Sequence, residues 1–231
     1  MSPAPAAPPA PRALVGTLLA LTFTTGLIDA VSYLGLGHVF TANMTGNVVL
    51  LGFGVAGGYG LPVLAPLVSL GAFVLGAAAA GAALRRGGGA TPQLLGAALL
   101  AEGVLAGVAT LLAVSTKIHA GSVVAGIVIA VLAAAMGGRN AVVRKLAVPE
   151  LTTTVLTMTV TGLASDGLRH AAQPRRLGAV AAMLVGALVG ALLVQQELWI
   201  PLAVIAVSAT ALAWVARSVS LRRPAPSAPG P

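Results

Sequence analysis

The sequence predicts an all-α polytopic membrane protein: six transmembrane helices plus two short re-entrant half-helices, arranged as an inverted 3+3 repeat. Three observations carry this. Only 8% of the 231 residues are charged, 58% are hydrophobic and the mean hydropathy is +0.99, where a soluble domain carries roughly 25% charged residues. Several uncharged runs approach or exceed the ~18 residues that mark a membrane span. Two further apolar stretches are too short to cross with ease, and each follows a polar break. The period-two alternation of a β-barrel is absent from the sequence.

The formal charge of +8 does not point to nucleic acid. Positive residues sit at segment ends, where orientation signals sit. Four Phe, two Tyr and two Trp make no platform for stacking bases. The lack of cysteine removes disulfides and thiolate metal sites. His38, His119 and His170 are far apart and form no metal-binding pattern, so no metal and no cofactor is expected. With no His–carboxylate constellation and no GxSxG elbow, the sequence does not read as an enzyme.

Residues 1–12 are Pro/Ala-rich and expected to be a disordered tail. A single transmembrane domain follows over 13–217, with halves at about 13–116 and 117–217, and 218–231 form a second disordered tail. The first span, 14–36, exceeds the apolar core of a signal peptide and is expected to be retained. It carries Asp29 and breaks at Gly35-Leu36-Gly37-His38. Asn43, Thr45 and Asn47 then crowd a polar loop before a short apolar segment, giving a hairpin over about 38–58. Spans at 61–84, 93–114 and 120–146 come next. Glu102 lies near the middle of the third span, and Arg139, Asn140, Arg144 and Lys145 lie toward the end of the fourth. After Pro149-Glu150 comes a threonine-rich segment with Thr152, Thr153, Thr154, Thr157, Thr159 and Thr161, a second hairpin over about 150–167. Spans at 177–194 and 198–216 close the domain.

The halves correspond in order. Gly26-x-x-Asp29 returns as Gly137-x-x-Asn140, 111 residues later, and Thr41 and Thr45 return as Thr153 and Thr157, 112 later. Charge then selects the topology. With a cytoplasmic N-terminus and neither short segment spanning, Arg12, Arg85, Arg86, Arg139, Arg144, Lys145, Arg169, Arg175, Arg176, Arg217, Arg222 and Arg223 fall inside. Only Lys117 falls outside, a split of 12 to 1. If both short segments spanned, the split would be 8 to 5, so the positive-inside rule favours the first arrangement. Three spans per half invert the second half relative to the first, as in many secondary transporters.

Asp29 and Glu102 are intramembrane carboxylates, each costing at least ~2.5–3.5 kcal/mol if unpaired. They read either as proton carriers or as hydrogen-bonded anchors between helices. Arg139 either neutralises Asp29 or reaches out to the headgroups. Asn43, Thr45 and Asn47 in one half, with Asn140, Thr153, Thr154 and Thr157 in the other, are candidate solute ligands. One residue per short helix suffices for N-capping. The surplus suits half-helix N-termini that offer free N–H groups to an anionic or carbonyl-bearing solute. Small-residue pairs at GxxxG spacing, such as Gly54/Gly58 and Gly186/Gly190, let helices approach closely, within the chain or between copies in a homo-oligomer.

Gly26-Leu-Ile-Asp29-Ala30, the run Phe40-Thr-Ala-Asn43-Met44-Thr45-Gly46-Asn47 and the stretch 137–163 resemble the YoaK-like DUF1275 family of bacterial membrane proteins. The resemblance spans about residues 14–216 and implies an integral protein of the bacterial inner membrane with six or seven helices. It carries over no catalytic or ligand residue. The physical reading is a multi-pass protein with both termini cytoplasmic, and two functions compete. One is secondary transport of a small solute, with proton coupling through Asp29 or Glu102. The other is a channel or a structural or regulatory membrane protein. The expected partners are the lipid bilayer and an unidentified small solute.

Overall fold

The computed structural model describes residues 12–57, 60–87, 92–146, 156–166 and 172–221. Eight helices run through them: α1 (Arg12–Gly35), α2 (Met44–Val55), α3 (Leu64–Arg86), α4 (Pro92–Ser115), α5 (Val123–Leu146), α6 (Leu156–Ser165), α7 (Gln173–Val194) and α8 (Trp199–Leu221). Six are long and apolar enough to cross a membrane, and α2 and α6 are the two short ones. Both tails and the Pro149-Glu150 break fall mainly or wholly outside the described residues, as do Thr153 and Thr154.

Several boundaries differ from the sequence expectation: α3 and α5 each start three residues later, and α8 runs on to Leu221, into the stretch expected to be a disordered tail. Helix α7 begins at Gln173, four residues earlier than the apolar run, and takes in Arg175 and Arg176. Pro174 in its first turn explains the start, since the first turn has no intrahelical use for the missing N–H.

The long helices are not equally exposed. In α1 and α5, 61% and 50% of the most apolar window is buried, against 11% in α3 and 17% in α7. Helices α1 and α5 are therefore central, and α3 and α7 face outward, their exposed Val74, Leu75, Leu184 and Leu188 forming an apolar flank. In water such a surface would drive aggregation. In a bilayer it is the solvated face.

Glycine lets the helices touch backbone to backbone. Helix α7 lies along α1 with Gly186 on the Phe23 carbonyl and Gly190 on Leu27. Both contacts advance by four residues, so the pair is parallel. Helix α3 lies along α5 in the same sense, Gly76 against Ala134 and Ala80 against Gly138. Helices α4 and α8 are antiparallel, with Gly96 near Ala213 and Gly103 near Ala206. Here close approach replaces the hydrophobic driving force that lipid removes. At one end of the bundle, Gly35 meets Leu198 and Gly37 meets Ala120, bringing the end of α1 to the starts of α5 and α8.

Two apolar clusters fill the interior. One gathers Leu27, Ile28, Val31, Ala106, Ala109, Val128, Leu132, Met136, Leu202 and Ile205. The other gathers Leu18, Leu21, Leu95, Leu99, Val142, Val143, Ala213 and Ala216. Between them, on three helices at once, lie Thr24 and Thr25, Glu102, and Arg139, all buried. A thin polar layer divides the core.

Candidate functional site

The first part of the site is built where α1 ends. Gly37 and His38 both have positive φ, 112° and 54°, a left-handed step that is cheap for glycine and uncommon for histidine. Tyr33 holds the turn by meeting His38 edge-on at 5.1 Å and stacking on Phe40 at 5.0 Å. The chain then folds back along α1 far enough for the Thr41 and Ala42 N–H groups to donate to Asp29 Oδ1, at 3.2 and 2.8 Å. The Asn43 N–H adds electrostatically to the same carboxyl. Asp29 is 6% exposed, and its Oδ2 has no hydrogen-bond partner among the described residues.

Asn43 and Asn47 turn out to play different parts. Asn43 is exposed and caps α2, its Oδ1 accepting from the Gly46 N–H at 3.2 Å. Asn47, one turn on, is wholly buried. Its Oδ1 accepts from the Phe40 N–H at 2.9 Å, and its Nδ2 donates to the Phe40 carbonyl at 2.6 Å and to Ser69 Oγ at 3.1 Å. Ser69 also donates to the Phe40 carbonyl, at 2.6 Å. This amide holds the 40–43 loop against α2 and α3. Thr45 is exposed.

The second part is the polar layer. Arg139 is entirely buried and pairs with Glu102 at 2.9 Å, with side-chain exposures of 0% and 1%. Its other contacts are Thr24 Oγ1 at 3.2 Å and Thr25 Oγ1 at 2.6 Å. Both threonines donate their own hydroxyl proton to the Leu21 carbonyl, which leaves oxygen lone pairs for the guanidinium. Two expectations are thereby corrected. Arg139 does not reach the headgroups, and its hydrogen-bonded partner is Glu102, with Asp29 one turn of α1 beyond Thr25. Four residues at 1.5 Å rise place that turn about 6 Å away, within the reach of Arg139's field.

In the second half, Asn140 is half-buried in α5 and Thr157 is exposed at the start of α6. The far end of α6 is tied down by α7. Gln173 Nε2 donates to the Leu163 carbonyl at 3.1 Å, and Arg176 donates to the Gly162 carbonyl at 2.7 Å while pairing with Asp166 at 2.7 Å. A cation at a helix C-terminus satisfies orphan carbonyls and opposes the negative end of the dipole. Sequence reasoning counted Arg176 only as an orientation signal, and it did not single out Ser69, Thr24, Thr25 or Gln173.

A cleft of about 340 Å³ opens beside Asp29, between α1, α7 and the 40–43 loop, lined by Gly26, Tyr33, Phe40, Asn43, Met183 and Ala187 among others. A second cleft, about 590 Å³, lies where α4 turns into α5 beside the start of α8, with Lys117, His119 and Glu197 on its walls. Among the described residues, no three of His, Asp and Glu stand close enough to hold a metal ion.

Six apolar spans around a charged layer define a polytopic integral membrane protein. The chain belongs to the DUF1275 family, whose model, described as "Protein of unknown function (DUF1275)", matches residues 17–216. It is similar to the "UPF0700 transmembrane protein YoaK" of Bacillus subtilis (strain 168), with 34% identity over 152 residues. That alignment covers 65% of this chain and 66% of the relative. No solved structure matches the chain.

Proposed function

We propose that the chain is a secondary transporter of a small solute, built as two inverted halves, with proton coupling through its buried carboxylates. The observation that carries this reading is the reciprocal helix packing. The α1–α7 contacts Phe23–Gly186 and Leu27–Gly190 return in α5–α3 as Ala134–Gly76 and Gly138–Ala80, each partner offset by 110 or 111 residues. Equivalent helices also share depth, α1 with α5 at the centre and α3 with α7 outside. Helix α2 packs on α3 as α6 packs on α7. Matching backbone contacts at matching positions are what a duplicated fold produces, and inverted duplication underlies alternating access.

The re-entrant reading draws support from the same contacts. The end of α1 meets the start of α5, and α3 starts alongside α5, so the chain between α1 and α3 leaves and returns at one end. Orientation rests on charge. Arg139 and Arg176 are buried against protein and drop out of the count, which becomes 10 to 1 in place of 12 to 1, still in favour of cytoplasmic termini. Membrane-impermeant maleimide should label Ala56→Cys and Thr116→Cys from outside intact cells, and Ser165→Cys only after permeabilisation. Labelling of Ala56→Cys and Ser165→Cys from one face would sink the inverted arrangement.

The function itself is tested in proteoliposomes loaded with a pH-sensitive dye and challenged in turn with amines, carboxylates and sugars. One class should drive proton movement through the wild type, and Asp29→Asn should abolish it. Identical responses in wild type, Asp29→Asn and Glu102→Gln would rule out carboxylate coupling, and no response to any class would count against transport. The second reading, a structural or regulatory membrane protein, is favoured by the sealing of Glu102 and Arg139 inside the core. It expects Asp29→Asn to change stability alone.

A further inference from the structure

We infer that the cleft between α1 and α7 is a binding site for an organic cation, a protonated amine with an apolar body. Its ammonium group would be held by Asp29 Oδ2. The inference deepens the transport reading by naming the substrate class, and rests on that reading only for the cation being moved.

The N–H donors at the α2 end of the loop are already engaged. An empty half-helix N-terminus attracts anions through its free N–H groups and dipole. Here the protein supplies the anion itself: Thr41 and Ala42 donate to Asp29 Oδ1, and Asn43 adds to the same carboxyl. A solute carboxylate would meet a carboxylate. What the site lacks is a donor, because Oδ2 is buried without a partner among the described residues and Asp29 lines the cleft. A buried acceptor left unpaired is costly, and an ammonium N–H supplies both the missing bond and the countercharge.

The rest of the wall fits the apolar part of such a ligand. Tyr33 and Phe40, stacked on each other, line the cleft with aromatic rings, and Met183 and Ala187 give an adaptable apolar floor. No charged side chain of α7 lines the cleft. A volume of about 340 Å³ admits an arylalkylamine and is larger than a bare metal ion needs. A proton and an ammonium group cannot both occupy Oδ2, so the two compete, and competition at a single carboxylate is by itself a means of exchanging one cation for the other.

The test is binding of 2-phenylethylamine to the full chain in nanodiscs by titration calorimetry, with 2-phenylethanol and benzoate as neutral and anionic comparators. The amine is expected to bind at least about tenfold more tightly than either. Its affinity should fall as pH is lowered, with a limiting slope of about tenfold per pH unit, because protonating the carboxyl removes the acceptor. The ionisable groups near Asp29 are Tyr33 in the cleft wall, His38 against Tyr33, and Arg139 with its partner Glu102. His38→Gln should therefore keep the pH dependence. Asp29→Asn should lose both affinity and pH dependence, since an amide oxygen still accepts from Thr41 and Ala42 but offers the amine no charge. Preferred binding of benzoate, equal binding of the alcohol, or unchanged affinity in folded Asp29→Asn would each overturn the site. Amine binding without amine flux would sink transport and leave the site standing, whereas flux of another class without amine binding would do the reverse.

Discussion

Arg139→Met is expected to destabilise the protein by about 3–5 kcal/mol, the usual cost of breaking a buried ion pair by removing one partner. The substitution leaves Glu102, 1% exposed, with neither countercharge nor donor in a region that water does not reach. Removing both charges with Arg139→Met and Glu102→Met should recover most of the loss, because a well-packed apolar pair often equals a buried ionic one. Unfolding in mixed micelles, followed by circular dichroism as a double-mutant cycle, measures the difference. A double variant as unstable as Arg139→Met alone would mean that the bonds to Thr24 and Thr25, not the charge pair, hold the layer together.

Asp29→Leu should cost about 2–6 kcal/mol, since it strands the Thr41 and Ala42 N–H groups inside the bundle at about 1–3 kcal/mol each. Asp29→Asn should cost much less, because its amide oxygen replaces Oδ1. The same unfolding measurement on both variants separates a carboxyl that anchors the loop from one retained for its charge. Equal losses would show that the negative charge itself, rather than the acceptor, stabilises the return of the 40–43 loop.

The six spans were legible because bilayer thickness sets a length that composition reveals. Asp29, Glu102 and Arg139 stood out because ionisable groups are rare in such runs. Which of them pair was not legible. Glu102 and Arg139 are 37 residues apart, and their contact depends on how α4 and α5 rotate against each other, which no local pattern encodes. Nor could sequence separate Asn43 from Asn47. They lie one helical turn apart, and the returning Phe40 backbone together with Ser69 on α3 turns Asn47 inward. The contacts of Arg176 were not legible, because an arginine near a span end normally meets lipid headgroups, whereas here it binds the C-terminus of α6.

The polar layer between the two apolar clusters also restricts how the core can move. Apolar surfaces slide past one another with many nearly equal intermediate positions, but an arginine set among fixed acceptors has few. Along α1 those acceptors are spaced like rungs, Thr24 and Thr25 at one level and Asp29 a turn above. A slip of α5 by one turn, about 5.4 Å, would move Arg139 from the threonines to the aspartate and away from Glu102. Any shift of the centre of this bundle is thereby divided into steps, with a charge handed from one rung to the next.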